Sequence, residues 1–250
     1  MKALITGASS GLGRDMAYYL SNLGYDLILV ARRKERLEEI KNNVKTNVKI
    51  IEADLSIEEE VFNVYEETKK DNVDFLINNA GFGLFGTFDK TDLNKELEMI
   101  NVNIKALHIL TKLYLKDFIK KDYGYILNVS SVAGFTAGPE LSTYYSTKNY
   151  VLKQTMAIAS ELNRKKSHVH ISALCPGPFN TEFNKTAGVS FKTKGMSSEY
   201  VAHYGIDKCL KNKEIIIPGV KWKLLIFLTR FAPYKLITYF IGNFQMKKQK

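Results

Sequence analysis

Short β-rich runs alternate with longer helical stretches through most of the chain, and this alternation restricts the fold to one class. Strands are predicted at residues 2–6, 26–30, 48–52, 73–77, 125–130, 168–175 and 214–217. Helices are predicted between them, among others at 33–42, 57–70, 93–120 and 143–165. Near-continuous apolar strands separated by amphipathic helices are typical of a parallel sheet covered on both faces. No linker rich in proline, glycine or serine interrupts the pattern, so the sequence predicts one doubly wound α/β domain.

The composition is that of a globular protein kept in a reducing compartment. Of the 250 residues, 45% are hydrophobic and 25% are charged, which excludes disordered and collagen-like classes. The two cysteines, Cys175 and Cys209, could form at most one disulfide, which favours the cytosol over a secreted scaffold. The first apolar run, residues 3–5, is too short for a signal peptide, so a cytoplasmic location is expected.

The positive charge of the chain is concentrated at its C-terminus. The formal net charge is +10, yet residues 1–220 carry 29 Lys and Arg against 26 Asp and Glu, a net of +3. Residues 221–250 hold seven basic side chains and no acidic one. This distribution argues against a nucleic-acid-binding protein and indicates a tail with a partner of its own.

A glycine-rich stretch, TGASSGLG at residues 6–13, lies where the first strand meets the first helix. Glycines at such a junction let the backbone approach a pyrophosphate, and the helix N-terminus offers free N–H groups to the anion. A strand-ending turn is the alternative interpretation, and a Walker P-loop is excluded because no Gly-Lys-Ser/Thr follows. The predicted cofactor contacts of this stretch are Gly7, Ser9, Ser10, Gly11, Leu12 and Gly13.

Two arginines, Arg32 and Arg33, follow the second strand at the position where an acidic residue would hold the ribose hydroxyls of NAD. A guanidinium there can pair with a 2′-phosphate, so NADP(H) is predicted over NAD(H), with Arg32 as the better candidate. The alternative is that both arginines merely lie on a charged helix surface. Further cofactor contacts are predicted at the ends of the next two strands, at Asp54, Leu55, Asn79, Ala80 and Gly81. Taken alone, each of these two stretches fits a turn or a helix N-cap equally well.

Ser131, Tyr144 and Lys148 form the most informative group of polar residues. Tyr144 and Lys148 are spaced i and i+4, so they share one face of a helix. A lysine ammonium beside a phenol favours the phenolate and is expected to lower the tyrosine pKa toward neutrality. Ser131, at the end of the fifth strand, can hydrogen-bond a substrate carbonyl. No metal site is predicted, because His168 and His170 have no third ligand at a suitable spacing.

These motifs together resemble the short-chain dehydrogenase/reductase family over residues 2–219. The family's TGxxxGxG turn matches residues 6–13, and its NNAG element matches residues 78–81. The family's catalytic asparagine falls on Asn103, its serine on Ser131 and its YxxxK pair on Tyr144 and Lys148. Its PGPxxT stretch falls on residues 176–181, where Pro176, Gly177, Phe179 and Thr181 are the expected contacts of the nicotinamide.

The resemblance implies a Rossmann-type, seven-stranded parallel sheet of order 3-2-1-4-5-6-7 and a homodimer or homotetramer. It also implies hydride transfer between the nicotinamide ring and a carbonyl or alcohol carbon. In the reductive direction Tyr144 would give a proton to the carbonyl oxygen, which Ser131 would stabilise. Lys148 would lower the Tyr144 pKa and bind the nicotinamide ribose, and Asn103 would hold a water that resupplies protons. A regulatory NADP(H)-binding redox sensor is the alternative function.

Two segments extend beyond the motifs. The irregular stretch 179–200, within the predicted domain 1–220, is expected to be a substrate loop or lid, and a surface loop without a role is the alternative. The extension 221–250 is rich in aromatic residues, and Pro233 is expected to divide it into two short amphipathic helices. An interfacial membrane anchor, a pocket wall and a subunit contact all fit this extension. Its apolar character and the phenylalanines of the loop favour a hydrophobic substrate, such as a lipid-derived ketone reduced by a peripheral-membrane enzyme.

Overall fold

The computed structural model describes residues 1–178 and 195–246, and its centre is a seven-stranded sheet. The strands are β1 (Lys2–Thr6), β2 (Asp26–Ala31), β3 (Val48–Glu52), β4 (Phe75–Asn78), β5 (Gly124–Val129), β6 (Val169–Leu174) and β7 (Ile215–Ile216). All neighbours pair in parallel, in the order β3-β2-β1-β4-β5-β6-β7. The predicted Rossmann-type topology is therefore confirmed.

Helices cover both faces of this sheet. They are α1 (Gly11–Asn22), α2 (Lys34–Asn42), α3 (Glu58–Thr68), α4 (Leu93–Ile100), α5 (Leu107–Lys121), α6 (Ser142–Arg164), α7 (Ser198–Leu210), α8 (Val220–Thr229) and α9 (Tyr234–Met246). A π-helical segment (Asn101–Ala106) joins α4 to α5, and a short 3₁₀ helix (Val132–Phe135) follows β5.

Side chains that alternate along each strand build two separate cores. Ile5 of β1 faces a core shared with α1, α2 and α7, where Met16, Leu37 and Val201 are buried. Its neighbour Leu4 faces the opposite core, which α3, α5 and α6 complete. Because both faces of every central strand are buried, the strands are continuously apolar, as the sequence indicated.

The side on which successive strands are added to the sheet changes between β1 and β4. Strands β2 and β3 are added on one side of β1, whereas β4 to β7 are added on the other side. The loops that leave the carboxyl ends of β1 and β4 diverge there, and open α/β sheets bind their ligands in the crevice that results. The topology therefore fixes the edge of the sheet at which a functional site is expected.

One predicted helix differs from the structure. Residues 93–120 were expected to form a single helix, but the π-helical segment interrupts it at Asn101–Ala106. The side chain of Asn103 is fully buried there and binds the backbone of Phe82, a contact that an uninterrupted surface helix does not require. A π-helical turn inside an α-helix frequently accompanies a functional residue.

The C-terminal extension folds back on the domain. As predicted, a break at Pro233 separates two short helices, α8 and α9. Trp222 of α8 covers Gly177, and Gly242 of α9 lies against Pro139. No helix within the described ranges is long and apolar enough to cross a membrane.

Candidate active site

A cleft of about 650 Å³ opens at the carboxyl edge of the sheet, where the topology predicts a ligand site. Its walls come from the loops after β1 to β6 and from α4, α6 and α9. The predicted site residues that line it are Gly7, Ser9, Ser10, Gly11, Leu12, Arg32, Arg33, Asp54, Leu55, Asn79, Ala80, Gly81, Ser131, Tyr144, Lys148, Pro176 and Gly177. Residues from every predicted motif therefore meet in one concave site.

The glycine-rich turn forms one wall of the cleft with bare backbone. Gly7 has a φ of +65°, a left-handed conformation that glycine adopts without strain. A Cβ on Gly13 would overlap the carbonyl oxygen of Gly7 and come within 2.5 Å of the Asn79 Nδ2 atom. Gly13 does not face the cleft itself, so its role is to let α1 approach β1 closely.

Thr6 and Asn79 hold this turn in place. The Thr6 Oγ1 atom accepts hydrogen bonds from the backbone N–H groups of Asn79 and Ala80, at 3.0 and 3.1 Å. The Asn79 side chain donates to the carbonyl oxygens of Thr6 and Gly7, at 3.0 and 3.1 Å. The NNAG element therefore fixes the glycine-rich turn against β4, a positioning role that its sequence did not reveal.

The two arginines of the β2 loop lie in different surroundings. The Arg33 guanidinium donates to Ser9 Oγ at 3.2 Å, so it reaches across the cleft to the glycine-rich turn. Arg32 instead lies between two carboxylates, 3.6 Å from Asp54 and 3.4 Å from Glu98. Arg33 is thus the cation placed beside the turn, and Arg32 belongs to an ion-pair network at the outer end of the cleft.

Asp54 is held as a carboxylate in that network. Burial alone would raise its pKa, but the backbone and hydroxyl groups of Ser56 both donate to Oδ1, at 2.9 and 2.8 Å. Together with the Arg32 guanidinium, these contacts keep the pKa of Asp54 below its usual value. The carboxylate remains ionised at neutral pH and faces the cleft as a hydrogen-bond acceptor.

Ser131 and Tyr144 lie together at the inner end of the cleft. Ser131 caps the 3₁₀ helix, because its Oγ atom accepts a hydrogen bond from Ala133 N at 3.1 Å. Burial raises the pKa of Tyr144, and a hydrogen bond with Ser131 partly opposes this effect. The Tyr144 hydroxyl is therefore protonated at neutral pH, in contrast to the expectation that Lys148 lowers the pKa of this group.

The geometry of Lys148 explains the difference. Its Nζ atom lies 5.9 Å from the centre of the Tyr144 ring and donates to the carbonyl oxygen of Val129 at 2.9 Å. The side chain is only 5% exposed, and this burial lowers the pKa of Lys148 to about 8. In the protein alone, the desolvation of Tyr144 outweighs any stabilisation of its phenolate by Lys148.

Asn103 lies directly behind this group. Its side chain accepts a hydrogen bond from Phe82 N at 3.0 Å and donates to Phe82 O and Thr147 Oγ1, at 2.9 and 3.1 Å. A Cβ on Gly81 would come within 2.9 Å of the Asn103 oxygen and 3.3 Å of Lys148 Nζ. Asn103 therefore connects the loop after β4 to α6. Its side chain and Lys148 Nζ both lie close to Gly81, so the two predicted site residues are near each other.

The residues present fit a nicotinamide dinucleotide. A backbone turn without side chains, followed by the N-terminus of α1, suits a pyrophosphate, and the first-turn N–H groups of a helix have no intrahelical partner. The cleft continues from Arg33 at one end to Lys148 at the other. Phe179 and Thr181, predicted to contact the nicotinamide, lie outside the described residues.

The cleft also contains residues that the sequence did not identify. Tyr145 and Gln245 both line it, and the Gln245 Nε2 atom donates to the Tyr145 hydroxyl at 2.9 Å. These residues are 100 positions apart, so no local motif could have paired them. One side of the C-terminal extension is therefore a pocket wall, one of the three alternatives for this segment.

The predicted loop at 179–200 ends before Ser198, where α7 begins, and residues 179–194 lie outside the described ranges.

Comparisons with known proteins agree with this geometry. A sequence model of the short chain dehydrogenase family matches residues 1–189. The chain belongs to this family. It is 30% identical over 175 residues to a 7beta-hydroxysteroid dehydrogenase of Mediterraneibacter gnavus, a match that covers 68% of this chain and 66% of the relative. It is 31% identical over 198 residues to the 3-oxoacyl-[acyl-carrier-protein] reductase of Aquifex aeolicus, with 77% and 79% covered.

A solved structure extends the likeness to nearly the whole chain. A short-chain dehydrogenase from Sphingobium yanoikuyae, determined in complex with NADPH, superposes with a TM-score of 0.83 at 28% identity. The superposition covers 92% of this chain and 93% of that structure. The chain is therefore a short-chain dehydrogenase in both sequence and fold.

Proposed function

We propose that this short-chain dehydrogenase uses NADP(H) to interconvert a carbonyl and an alcohol on an apolar small molecule. The observation that carries the proposal is the placement of Ser131, Tyr144 and Lys148 at the inner end of the cleft that the glycine-rich turn begins. A phenol, a hydroxyl and a buried ammonium in one pocket suit the transfer of a proton to a carbonyl oxygen.

The roles of the side chains follow from their protonation states. When bound, the nicotinamide ring supplies or accepts the hydride. The Tyr144 hydroxyl, whose pKa is raised by burial, carries the proton that the carbonyl oxygen receives during reduction. Ser131, which hydrogen-bonds Tyr144 in the protein alone, would turn its single hydroxyl proton to the same oxygen and stabilise its developing negative charge.

Lys148 and Asn103 support this step from behind. Lys148 is held by the Val129 carbonyl beside the Tyr144 ring. From there its ammonium would bind the ribose hydroxyls of the cofactor and would stabilise the phenolate left after proton transfer. Asn103 fixes the Phe82 backbone and Thr147, and so positions the wall around Lys148. We assign Asn103 as a positioning residue that also borders the route of proton resupply.

The preference for NADP(H) rests on the basic end of the cleft. Arg33 is held beside the glycine-rich turn by Ser9, a location suited to a 2′-phosphate. Arg32 lies farther out, beside Asp54 and Glu98, so its location relative to the glycine-rich turn makes Arg33 the better candidate for the main phosphate ligand. The NADPH complex of the Sphingobium relative supports the same cofactor.

An apolar substrate is supported by the inner walls of the cleft. Phe82, Leu84, Val132, Leu141 and Tyr145 line the same cleft as Tyr144 and Ser131. The named activities of the two relatives concern a steroid and an acyl chain, both of which are largely apolar. A ketone on a hydrophobic skeleton is therefore the substrate class that we propose.

Self-association is also part of the proposal. Helices α4 and α6 expose Leu93, Leu97, Tyr150 and Met156, and exposed apolar side chains on neighbouring helices favour a contact between copies of the chain. A homodimer or homotetramer built on these helices agrees with the expectation from the sequence. Mass measurement of the purified protein in solution tests it.

Cofactor oxidation with a panel of carbonyl compounds tests the proposed reaction. The purified chain is incubated with NADPH or NADH and with keto-steroids, 3-oxoacyl thioesters or small polar ketones. The proposal predicts turnover of at least one apolar ketone, faster with NADPH than with NADH. Turnover confined to NADH and small polar substrates would contradict both the cofactor and the substrate assignments.

A further inference from the structure

Exposed apolar side chains are concentrated in the C-terminal extension. Among the described residues, 25 large hydrophobic side chains are exposed, and twelve of them lie between Val220 and Met246. Soluble proteins rarely expose apolar side chains so densely unless a partner covers them. The side of the extension that faces away from the cleft therefore requires an explanation that the proposed reaction does not give.

Helix α8 presents an apolar stripe to solvent. Val220, Leu224 and Phe227 recur at i, i+4 and i+7, and all three are exposed. Phe231, just beyond the helix, extends the stripe by packing edge-to-face on Phe227, with 5.3 Å between the ring centres. The opposite side of the helix, with Ile226, is buried against the domain.

Basic residues border this stripe on both sides. At 3.6 residues per turn, Lys221 and Arg230 lie roughly 90° to either side of the apolar stripe. Lys223 also lies on one side, where it donates to the Tyr204 hydroxyl at 3.1 Å. Leu225 and Leu228 are exposed on the Lys221 side as well, so the helix presents a broad apolar face with basic side chains within and beside it. Apolar and aromatic side chains combined with basic ones are typical of helices that lie in a lipid–water interface.

Helix α9 also presents an apolar face to solvent. Leu236, Tyr239 and Phe240 share one exposed face at i, i+3 and i+4. The other face attaches to the domain through Gly242 and Gln245, which contact Pro139 and Tyr145. Both helices are thus anchored on the domain by one face and leave an aromatic, apolar face unpaired within the described structure.

We propose that α8 and α9 dock this protein on the surface of an anionic lipid bilayer. Residues 221–250 contain seven basic side chains and no acidic one, so the charge of the extension is complementary to anionic headgroups. A second copy of the chain fits this face poorly, because symmetric pairing would bring like charges together. This inference stands apart from the proposed reaction, since it concerns only the outer faces of α8 and α9.

The location of the docking face has a consequence for substrate access. Trp222 of α8 packs on Gly177, and Gln245 of α9 lines the cleft beside Tyr145. The helices that contact the bilayer are therefore the ones that border the cleft. A substrate dissolved in the bilayer would have to travel only along this wall to reach Tyr144.

Vesicle flotation of the full chain tests the docking directly. The protein is mixed with vesicles of phosphatidylcholine and phosphatidylglycerol, or of phosphatidylcholine alone, at low and high salt. We expect the protein to float with the anionic vesicles at low salt, with less binding at high salt or without phosphatidylglycerol. A protein that stays at the bottom with both kinds of vesicle would overturn the proposal.

Paired variants separate the charge contribution from the apolar contribution. Lys221→Glu with Arg230→Glu should weaken binding to the anionic vesicles roughly tenfold or more, as should Phe227→Ser with Phe231→Ser. The control for the charge variant is Lys211→Glu with Lys213→Glu, because both lysines precede β7, at the amino edge of the sheet. The control for the apolar variant is Phe88→Ser, because Phe88 is 70% exposed and Phe231 is 74% exposed.

Thermal melting and solution mass are measured for every variant. Loss of flotation only in the α8 variants, with melting temperature and mass unchanged, supports docking on lipid. The proposal is overturned if the controls lose flotation equally. It is also overturned if the α8 variants change only the oligomeric mass, because the face would then bind a second copy.

Discussion

The ammonium group of Lys148 lies 5.9 Å from the centre of the Tyr144 ring while it donates to the carbonyl oxygen of Val129. This arrangement keeps a cation next to a phenol without binding the hydroxyl itself in the protein alone. Burial affects the two groups in opposite ways, because it raises the pKa of Tyr144 and lowers the pKa of Lys148 to about 8. Both changes disfavour the charged form.

Replacing Lys148 should therefore stabilise the fold at neutral pH. In the unfolded chain the lysine pKa is near 10.5, so the unfolded state binds more protons than the native state between about pH 8 and 10.5. The cost of burying the ammonium is complete below about pH 8 and disappears as the pH rises toward 10.5. Lys148→Met should be more stable than the parent by about 3 kcal/mol at neutral pH, a difference that shrinks with rising pH.

Denaturant unfolding at several pH values measures this difference. Lys153→Met is the matched control, because Lys153 lies on the same helix and is exposed. It should show no difference from the parent that depends on pH. An equal or lower stability of Lys148→Met at every pH would contradict the described burial of the ammonium.

Gly13→Ala tests the close packing of the glycine-rich turn. The added Cβ would overlap the Gly7 carbonyl oxygen, which is backbone and cannot move away without displacing β1 or α1. We expect a loss of about 1–3 kcal/mol in unfolding free energy and weaker binding of NADPH. Gly24→Ala is the control: its φ of +83° is strained for alanine, but nothing lies within 4 Å of the new atom. It should lose some stability and keep its cofactor affinity.

Arg33→Ala should remove most of the discrimination between the two cofactors. Because Ser9 holds Arg33 beside the glycine-rich turn, its loss should weaken NADPH binding by roughly 10- to 100-fold and leave NADH binding nearly unchanged. Arg32→Ala should have a smaller effect, since Arg32 lies beside Asp54 and Glu98 rather than beside the glycine-rich turn. Fluorescence titration with both cofactors gives the result. A larger effect of Arg32→Ala would restore the interpretation drawn from the sequence.

Gln245→Ala should alter substrate binding rather than cofactor binding. The Gln245 amide donates to the Tyr145 hydroxyl and fixes α9 over the inner end of the cleft, distant from Arg33. We expect a rise of several-fold in KM for the ketone, with the dissociation constant of NADPH unchanged. If the NADPH constant rises in parallel with KM, α9 supports the whole cleft and is not specific to the substrate end.

Much of the fold could be predicted because its determinants are local. Strands β1 and β3 have the predicted bounds, since each is a short run with three aliphatic residues closed by a turn or helix signal. The single helix predicted at 93–120 was wrong, because a π-helical segment interrupts it. Asn103 in that segment contacts Phe82 and Thr147, which are distant in sequence. Those partners lie 21 and 44 positions away.

In the site, too, residues that belong to local motifs could be predicted, and features that depend on the whole fold could not. The motifs located Ser131, Tyr144 and Lys148, and the structure brings all three to one cleft. The protonation states were not accessible from the i and i+4 spacing, because desolvation depends on how the whole fold encloses the group. Gln245 could not be identified either, since only the folding of α9 back onto the domain brings it to Tyr145.

The turnover of Tyr144→Phe tests the central claim most directly. Ketone reduction by NADPH is followed for the parent, for Tyr144→Phe and for Tyr150→Phe, a change on the same helix at a partly exposed tyrosine that bonds His108. If Tyr144 gives the proton, Tyr144→Phe should lower kcat by about 10²- to 10⁴-fold while its NADPH affinity stays within a few-fold of the parent. Tyr150→Phe should keep the parent rate. A Tyr144→Phe enzyme that retains the parent kcat with intact cofactor binding would contradict the assignment of Tyr144 as the proton donor.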